Sequence, residues 1–257
     1  MSKLSTGMSA LVFAAAVVVG GVGCHSQTSP APPTTATKPP PDPYARTNYS
    51  IIWSDPAGLD LMSPEGTYVR ASMESVNTSV SNGNRDAAIP GFWDSISGAA
   101  KEFADGFLVY GPDGPWVGIV RYQILEAADH GDRFEVTVCK FTAQLGQSAL
   151  WATNGHPDGK YEYRNQGNPW YLTVQRSGDT PPPPHQSGPD TFGTRPVFGS
   201  WKTVDWHGLP LGESNPCRDE GPWSGEPPWP ALPPDGESYV TTDIPSAPSY
   251  PGWSDGR

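Results

Sequence analysis

The hydrophobic pattern divides the chain into regions of different character. Ala10 to Val19 is an apolar run behind a single positive charge at Lys3. From His25 to Arg46 no large apolar residue occurs until Tyr44. Periodic patterns begin further on. Ser63-Pro64-Glu65 reads as a helix start, with Ser as N-cap, Pro at the first helical position and an acid at the positive end of the dipole. Val69, Met73, Val76 and Val80 follow at spacings of 4, 3 and 4, one apolar stripe, and Ser81-Asn82-Gly83-Asn84 stops the helix. A weaker helix is expected from about Gly91 to Ala104, with Phe92, Ile96, Ala99 and Phe103 on one side. Val120, Tyr122 and Ile124 then alternate with polar residues, as do Phe134, Val136 and Val138. Asp129-His130-Gly131-Asp132 between them is a turn, so the two strands predict an antiparallel hairpin. Trp170–Arg176 and Gly199–His207 read as further strands, separated by a surface loop over Thr180–Asp190. The expected fold is α+β, with N-terminal helices packed on a curved antiparallel sheet of about four or more strands.

Proline marks the boundaries. Seven prolines between His25 and Arg46 make that stretch an extended tether that cannot bury enough surface to fold. Residues 46–179 hold another seven, whereas residues 180–257 hold 17, so the last part of the chain reads as loop, strand and irregular tail. The organisation that follows is a signal peptide over 1–23, a tether over 24–46, an α+β domain over 47–208, and a Pro/Trp-rich tail over 209–257 tied to that domain.

The N-terminus has the positive n-region, apolar h-region and small-residue end of a secretory signal. Met8 to Gly23 is 16 residues, short for a membrane span of roughly 20. Val22-Gly23-Cys24 resembles the bacterial lipobox, with Gly21 where Leu is usual. The resemblance implies a diacylglyceryl group on the Cys24 thiol, and two or more acyl chains make a stable membrane anchor. The order of helices and strands over about residues 60–208 resembles the nuclear-transport-factor-2-like cone, in which a sheet wraps N-terminal helices and leaves a pocket. Lipobox, tether and Trp- and Pro-rich C-terminal text together resemble uncharacterised lipoproteins of mycobacteria or of their phages.

Charge and cysteines sharpen this picture. The net charge is −11, and it becomes −12 when Lys3 is lost with the signal. Such a field repels phosphate backbones, which argues against nucleic acid as a partner, and membrane attachment must come from acyl chains. The cysteines are Cys24, Cys139 and Cys217. In an exported protein, lipidation of Cys24 leaves Cys139 and Cys217 to pair as a disulfide.

Signatures of catalysis are absent: there is no GxSxG, HExxH, CxxC or P-loop. No two histidines share one element at ligand spacing, so neither metal nor cofactor is expected. Asp205 and His207, at the end of the last strand, are the one weak acid–base candidate. Asp129, Asp132, Asn154 and Asp158 offer turn oxygens without EF-hand spacing. Aromatic residues at strand ends, Trp116, Trp151, Tyr161, Trp170 and Trp201, are candidates to line a binding groove or to cap a small core. The expected role is a lipid-anchored, non-enzymatic binding or interaction module on the outer face of the cell membrane. An apolar small molecule or an envelope or phage protein would be its partner. The alternatives are an enzyme using acid–base chemistry in an apolar pocket and a structural envelope component.

Overall fold

A computed structural model describes residues 46–55, 57–108, 115–148, 160–164, 166–219 and 238–254. The signal, Cys24 and the tether therefore lie outside the described residues, as do Trp151, Asn154 and Asp158. The elements run β1 Thr47–Ser54, α1 Pro64–Asn82, a 3-10 turn at Arg85–Ala87, α2 Phe92–Ser95, α3 Gly98–Leu108, β2 Trp116–Asp129, β3 Arg133–Phe141, β4 Leu145–Ser148, β5 Tyr161–Arg164, β6 Gly167–Gln175, β7 Lys202–His207, α4 Pro216–Asp219 and β8 Ser238–Thr241.

Helix α1 forms where its cap and stripe place it. The Ser63 hydroxyl accepts from the Gly66 amide at 3.0 Å. At the other end Gly83 adopts φ 60°, and the amides of Gly83 and Asn84 return to the carbonyls of Val80 and Ser79, a Schellman closure. The stripe accounts for only part of the burial, however: every residue from Gly66 to Ser79 is buried. The face opposite the stripe is built from small polar residues, several of which bond to nearby backbone, while the hydroxyls of Thr67 and Ser79 are buried without a partner. Ser72 donates to the Tyr68 carbonyl, while Thr78 donates to the carbonyls of Glu74 and Ala87. Near the start of the helix, a Cβ on Gly66 would stand 2.3 Å from the Asp60 carbonyl oxygen. Only glycine permits that approach.

The expected second helix is two helices. Ile96 is extended between them and bridges Thr203 of β7, and the Ser97 amide donates to the Thr203 carbonyl. The interruption shifts the buried face by one residue: Phe92 and Ile96 are buried as expected, but Ala100 and Ala104 take the place of the exposed Ala99.

Eight strands form one sheet, more than the hydrophobic pattern indicates. The order is β7-β6-β3-β2-β4-β5-β8, with β1 parallel to β2 and all other pairs antiparallel. The β2–β3 hairpin and the β3–β6–β7 ladder follow the predicted strands. Along one side β2 pairs with β3 from Arg121 to Asp129 and with β4 from Trp116 to Gly118. Gly118, at φ 102°, sits near this change of partner, where a Cβ would lie 2.2 Å from the Gln144 carbonyl oxygen. The core cluster joins α1 (Val69, Met73, Val76) to one sheet face (Val120, Tyr122, Ile124, Val136, Val138).

The Pro-rich C-terminal third is less peripheral than its composition suggests. Phe192, Val197, Phe198 and Trp201, following the Pro181–Pro184 run, are core residues. Tyr250 exchanges backbone hydrogen bonds with Ile51 and Trp53, which covers the free edge of β1. Trp253 is fully buried. Cys139 and Cys217 form a disulfide with a Cα separation of 5.6 Å across 78 positions, and α4 rests beside β6, where Asn215 donates to the Gly167 carbonyl. The tail is thus held by Trp253 as well as by the disulfide expected to pin it.

Candidate functional site

Phe134, Val136 and Val138 of β3 point into the core, and by the two-residue repeat Lys140 belongs to the same row. Its neighbours across the sheet are Tyr122 on β2 and Asn168 on β6. A lysine on the inner face of an interior strand is costly unless its ammonium finds partners. Lys140 Nζ donates to Asn77 Oδ1 of α1 at 2.5 Å, and Asn77 Nδ2 donates to the Tyr49 hydroxyl at 2.6 Å. Burial pushes the Lys140 ammonium down to about 8, and no carboxylate among the described residues is near enough to hold the charge. Burial also pushes the Tyr49 hydroxyl up, against hydrogen bonds from Ser81 and Asn77.

Beside this relay lies a cavity of about 240 Å³. Lys140 and Asn77 line it together with Val80, Trp116, Leu145 and Trp170; Glu162 and several amide side chains complete the wall. The Trp170 indole N–H is buried without a hydrogen-bond partner. The arrangement offers apolar contact area beside excess hydrogen-bond donors, the composition of a small-molecule site.

One turn earlier on α1 a second polar cluster is arranged differently. Glu74 accepts from the Trp53 indole at 2.9 Å and from the Trp253 indole at 2.6 Å. The Arg70 guanidinium lies 4.6 Å from the Trp253 ring centroid and donates to the carbonyls of Gln186 and Gly252, each at 2.7 Å. Burial pushes the Glu74 carboxyl up to about 7, opposed by the Arg70 charge and both indoles. Glu74 lines neither this cavity nor the two shallower clefts, one on the outer sheet face and one between β1 and the 244–246 segment. It fastens helix, strand and C-terminal segment.

The residues singled out from sequence divide by location. Trp116 and Trp170 share the cavity. Tyr161 stands opposite Thr241 in the β5–β8 pair, outside the lining, although its neighbour Glu162 is part of it. Trp201 lies in the core, 5.9 Å from the Phe134 ring. Asp205 and His207 lie in the outer cleft with 3.8 Å between Oδ2 and Nε2, too far for a hydrogen bond. The His207 ring stacks on Tyr171 at 4.9 Å, with Nδ1 2.8 Å from the Gly208 carbonyl. Asp129 is bonded by Arg176 at 2.7 Å, which holds its carboxyl below the usual range, and it also accepts from the Gly131 amide. Among the described residues no three His, Cys, Asp or Glu side chains group to hold a metal.

Lys140, Asn77, Tyr49 and Glu74 are not among the site residues that sequence reasoning selects; Tyr49 and Asn77 stand only in Asn-x-Ser matches to the N-glycan acceptor pattern, to which a bacterial lipoprotein gives no meaning. One signal was present: an inner row reading Phe134, Val136, Val138 and then Lys140 places a charge where the alternation calls for an apolar residue. Compared with family models, curated proteins and solved structures, the chain matches none.

Proposed function

We propose that the chain is an exported binding module of the bacterial envelope, held to the outer face of the cell membrane by acyl chains on Cys24. Its α+β domain takes a small amphipathic molecule in the cavity beside Lys140. The tether over residues 24–46 sets the domain's distance from the bilayer. The observation that carries the binding reading is the placement of Trp116, Trp170 and a half-buried lysine around one cavity of about 240 Å³. Glu74 favours this reading over an acid–base enzyme, because its buried carboxylate is bonded by two indoles and lines neither the cavity beside Lys140 nor the two outer clefts. Val22-Gly23-Cys24 supports anchorage by lipid, and among the described residues no helix is long and apolar enough to cross a membrane. The nuclear-transport-factor-2-like cone remains the fold comparison we favour for a sheet curved around α1. Strand β1, preceding α1 and parallel to β2, departs from the element order on which that comparison rests.

Two measurements test the proposal. Metabolic labelling with a fatty-acid analogue is expected to mark the wild-type chain and to leave Cys24→Ala unlabelled; label on the variant would refute the anchor. Ligand-observed NMR with a panel of small aromatic and aliphatic molecules is expected to give hits that Trp170→Ala loses. A panel without hits would refute the cavity as a binding site.

A further inference from the structure

We infer that the cavity selects a small monocarboxylate with an apolar body, the carboxylate bonded by Lys140 and the body resting against Trp116 and Trp170. The inference rests on the binding reading above and adds the chemistry of the ligand.

Strand topology gives the first argument. Inward-pointing charges on edge strands guard against aggregation, but β3 lies between β2 and β6 and needs no such guard. Lys140 therefore has no protective role that would explain its place on the inner face. Donor inventory gives the second. An ammonium has three N–H donors, and Asn77 Oδ1 accepts one of them. The Asn77 amide nitrogen donates to Tyr49 and, as a donor, offers the ammonium no acceptor. The Lys140 ammonium thus has donors to spare on the cavity wall, and a ligand that completes it brings acceptor oxygens.

Charge and size narrow the class. The ligand's anion would supply the countercharge that Lys140 lacks. One cation with Glu162 on the same wall disfavours a dianion, as does a chain of net charge −11. Val80, Leu145 and the two tryptophans call for an apolar remainder. A volume of about 240 Å³ lies below the roughly 300–1,000 Å³ of sites for drug-sized molecules, so that remainder is one ring or a short chain.

The test is calorimetric titration of the full chain with benzoate, phenylacetate and octanoate, each beside its neutral amide. The wild type is expected to bind at least one acid about tenfold or more tightly than its amide, the scale of a charge-assisted hydrogen bond. In Lys140→Met the preference of acid over amide disappears. Acid and amide binding equally well in the wild type would overturn the inference and leave the binding reading standing, and so would a preference that survives in Lys140→Met. Failure of every acid and every amide to bind would overturn both.

If Lys140→Met does not fold, a pH series on the wild type decides. Acid affinity is expected to fall about tenfold between pH 7 and 9 as Lys140 loses its proton, with amide affinity flat. The other ionisable groups around Lys140 are Glu162, Tyr49 beyond Asn77, Tyr122 across the strand pair, and Glu74 one turn along α1. Both tyrosines are pushed up by burial and stay neutral in this window. Repeating the series in Glu74→Gln removes the remaining group on α1, and an acid affinity that stays flat across the window overturns the inference.

Discussion

Glu74 and Asn77 are three residues apart on the same buried helix, yet the clusters they anchor differ in one decisive respect. Around Glu74, both carboxylate oxygens are bonded and the neighbouring Arg70 donates from both terminal nitrogens to backbone carbonyls beside an indole ring, its Nε–H alone unbonded and away from any of the three clefts. Around Asn77, the amide is satisfied on both sides, but Lys140 is left with donors facing a cavity. A closed cluster of buried charges specifies how segments meet; a cluster left open on one side has capacity for another molecule. Burial alone does not separate the two. Partner count does.

The largest effect expected from breaking this contrast is at the closed cluster. Trp253→Ala removes a fully buried indole, a Glu74 donor and the ring under Arg70, and should cost about 3–5 kcal/mol in denaturant unfolding. Loss of less than about 1 kcal/mol would show that the tail is not a structural wedge. Next comes Cys217→Ser, which opens a loop of 78 positions and should cost about 2–4 kcal/mol, seen as a lowered midpoint that matches the wild type under reducing conditions. The open cluster should behave differently. Lys140→Met should change stability at pH 7 by no more than about 1 kcal/mol, the scale of one exchanged hydrogen bond, even though it abolishes acid selectivity.

The smallest effects are in pH dependence. Glu74 is held above its unfolded value, so the folded chain keeps a proton that the unfolded chain releases. Its contribution is greatest below the ordinary carboxyl range and drains away as pH rises to about 7. Glu74→Gln should flatten that part of the stability profile, and an unchanged slope would assign it elsewhere. Lys140 is held low, so its contribution is present above the ordinary lysine range and is lost as pH falls through about 8. Lys140→Met should remove that alkaline limb, measured by the same unfolding series.

Sequence legibility followed the strength of local signals. The cap, stripe and glycine stop of α1 and the hairpin of β2 and β3 are local patterns, and both elements stand where they predict. The break at Ile96 depends on a bridge to Thr203, more than 100 positions away, which no local period records. Strands β4, β5 and β8, each of four residues, are too short for alternation to register. In β1, Tyr49, Ile51 and Trp53 do alternate inward, but Ile52 interrupts the polar row and the Pro-rich tether precedes it. The candidate site was hidden for a related reason. Polar residues beside the α1 stripe carry no apolar signal, and distant segments turn their face into an interior: β1 through Tyr49, β3 through Lys140 and the C-terminal segment through Gly252 and Trp253. Composition could not sort the tryptophans either: Trp170 in the cavity wall and Trp201 in the core both read as strand-end aromatics in the sequence.

The most direct test of the account is an indole N–H NMR titration of the full chain with the tightest acid found, the tryptophan signals assigned by single Trp→Phe variants. Ligand in the open cluster should shift the Trp116 and Trp170 signals and leave those of Trp53 and Trp253, bonded to Glu74, in place. Shifts confined to Trp53 and Trp253, or none at Trp116 and Trp170 under saturating acid, would contradict it.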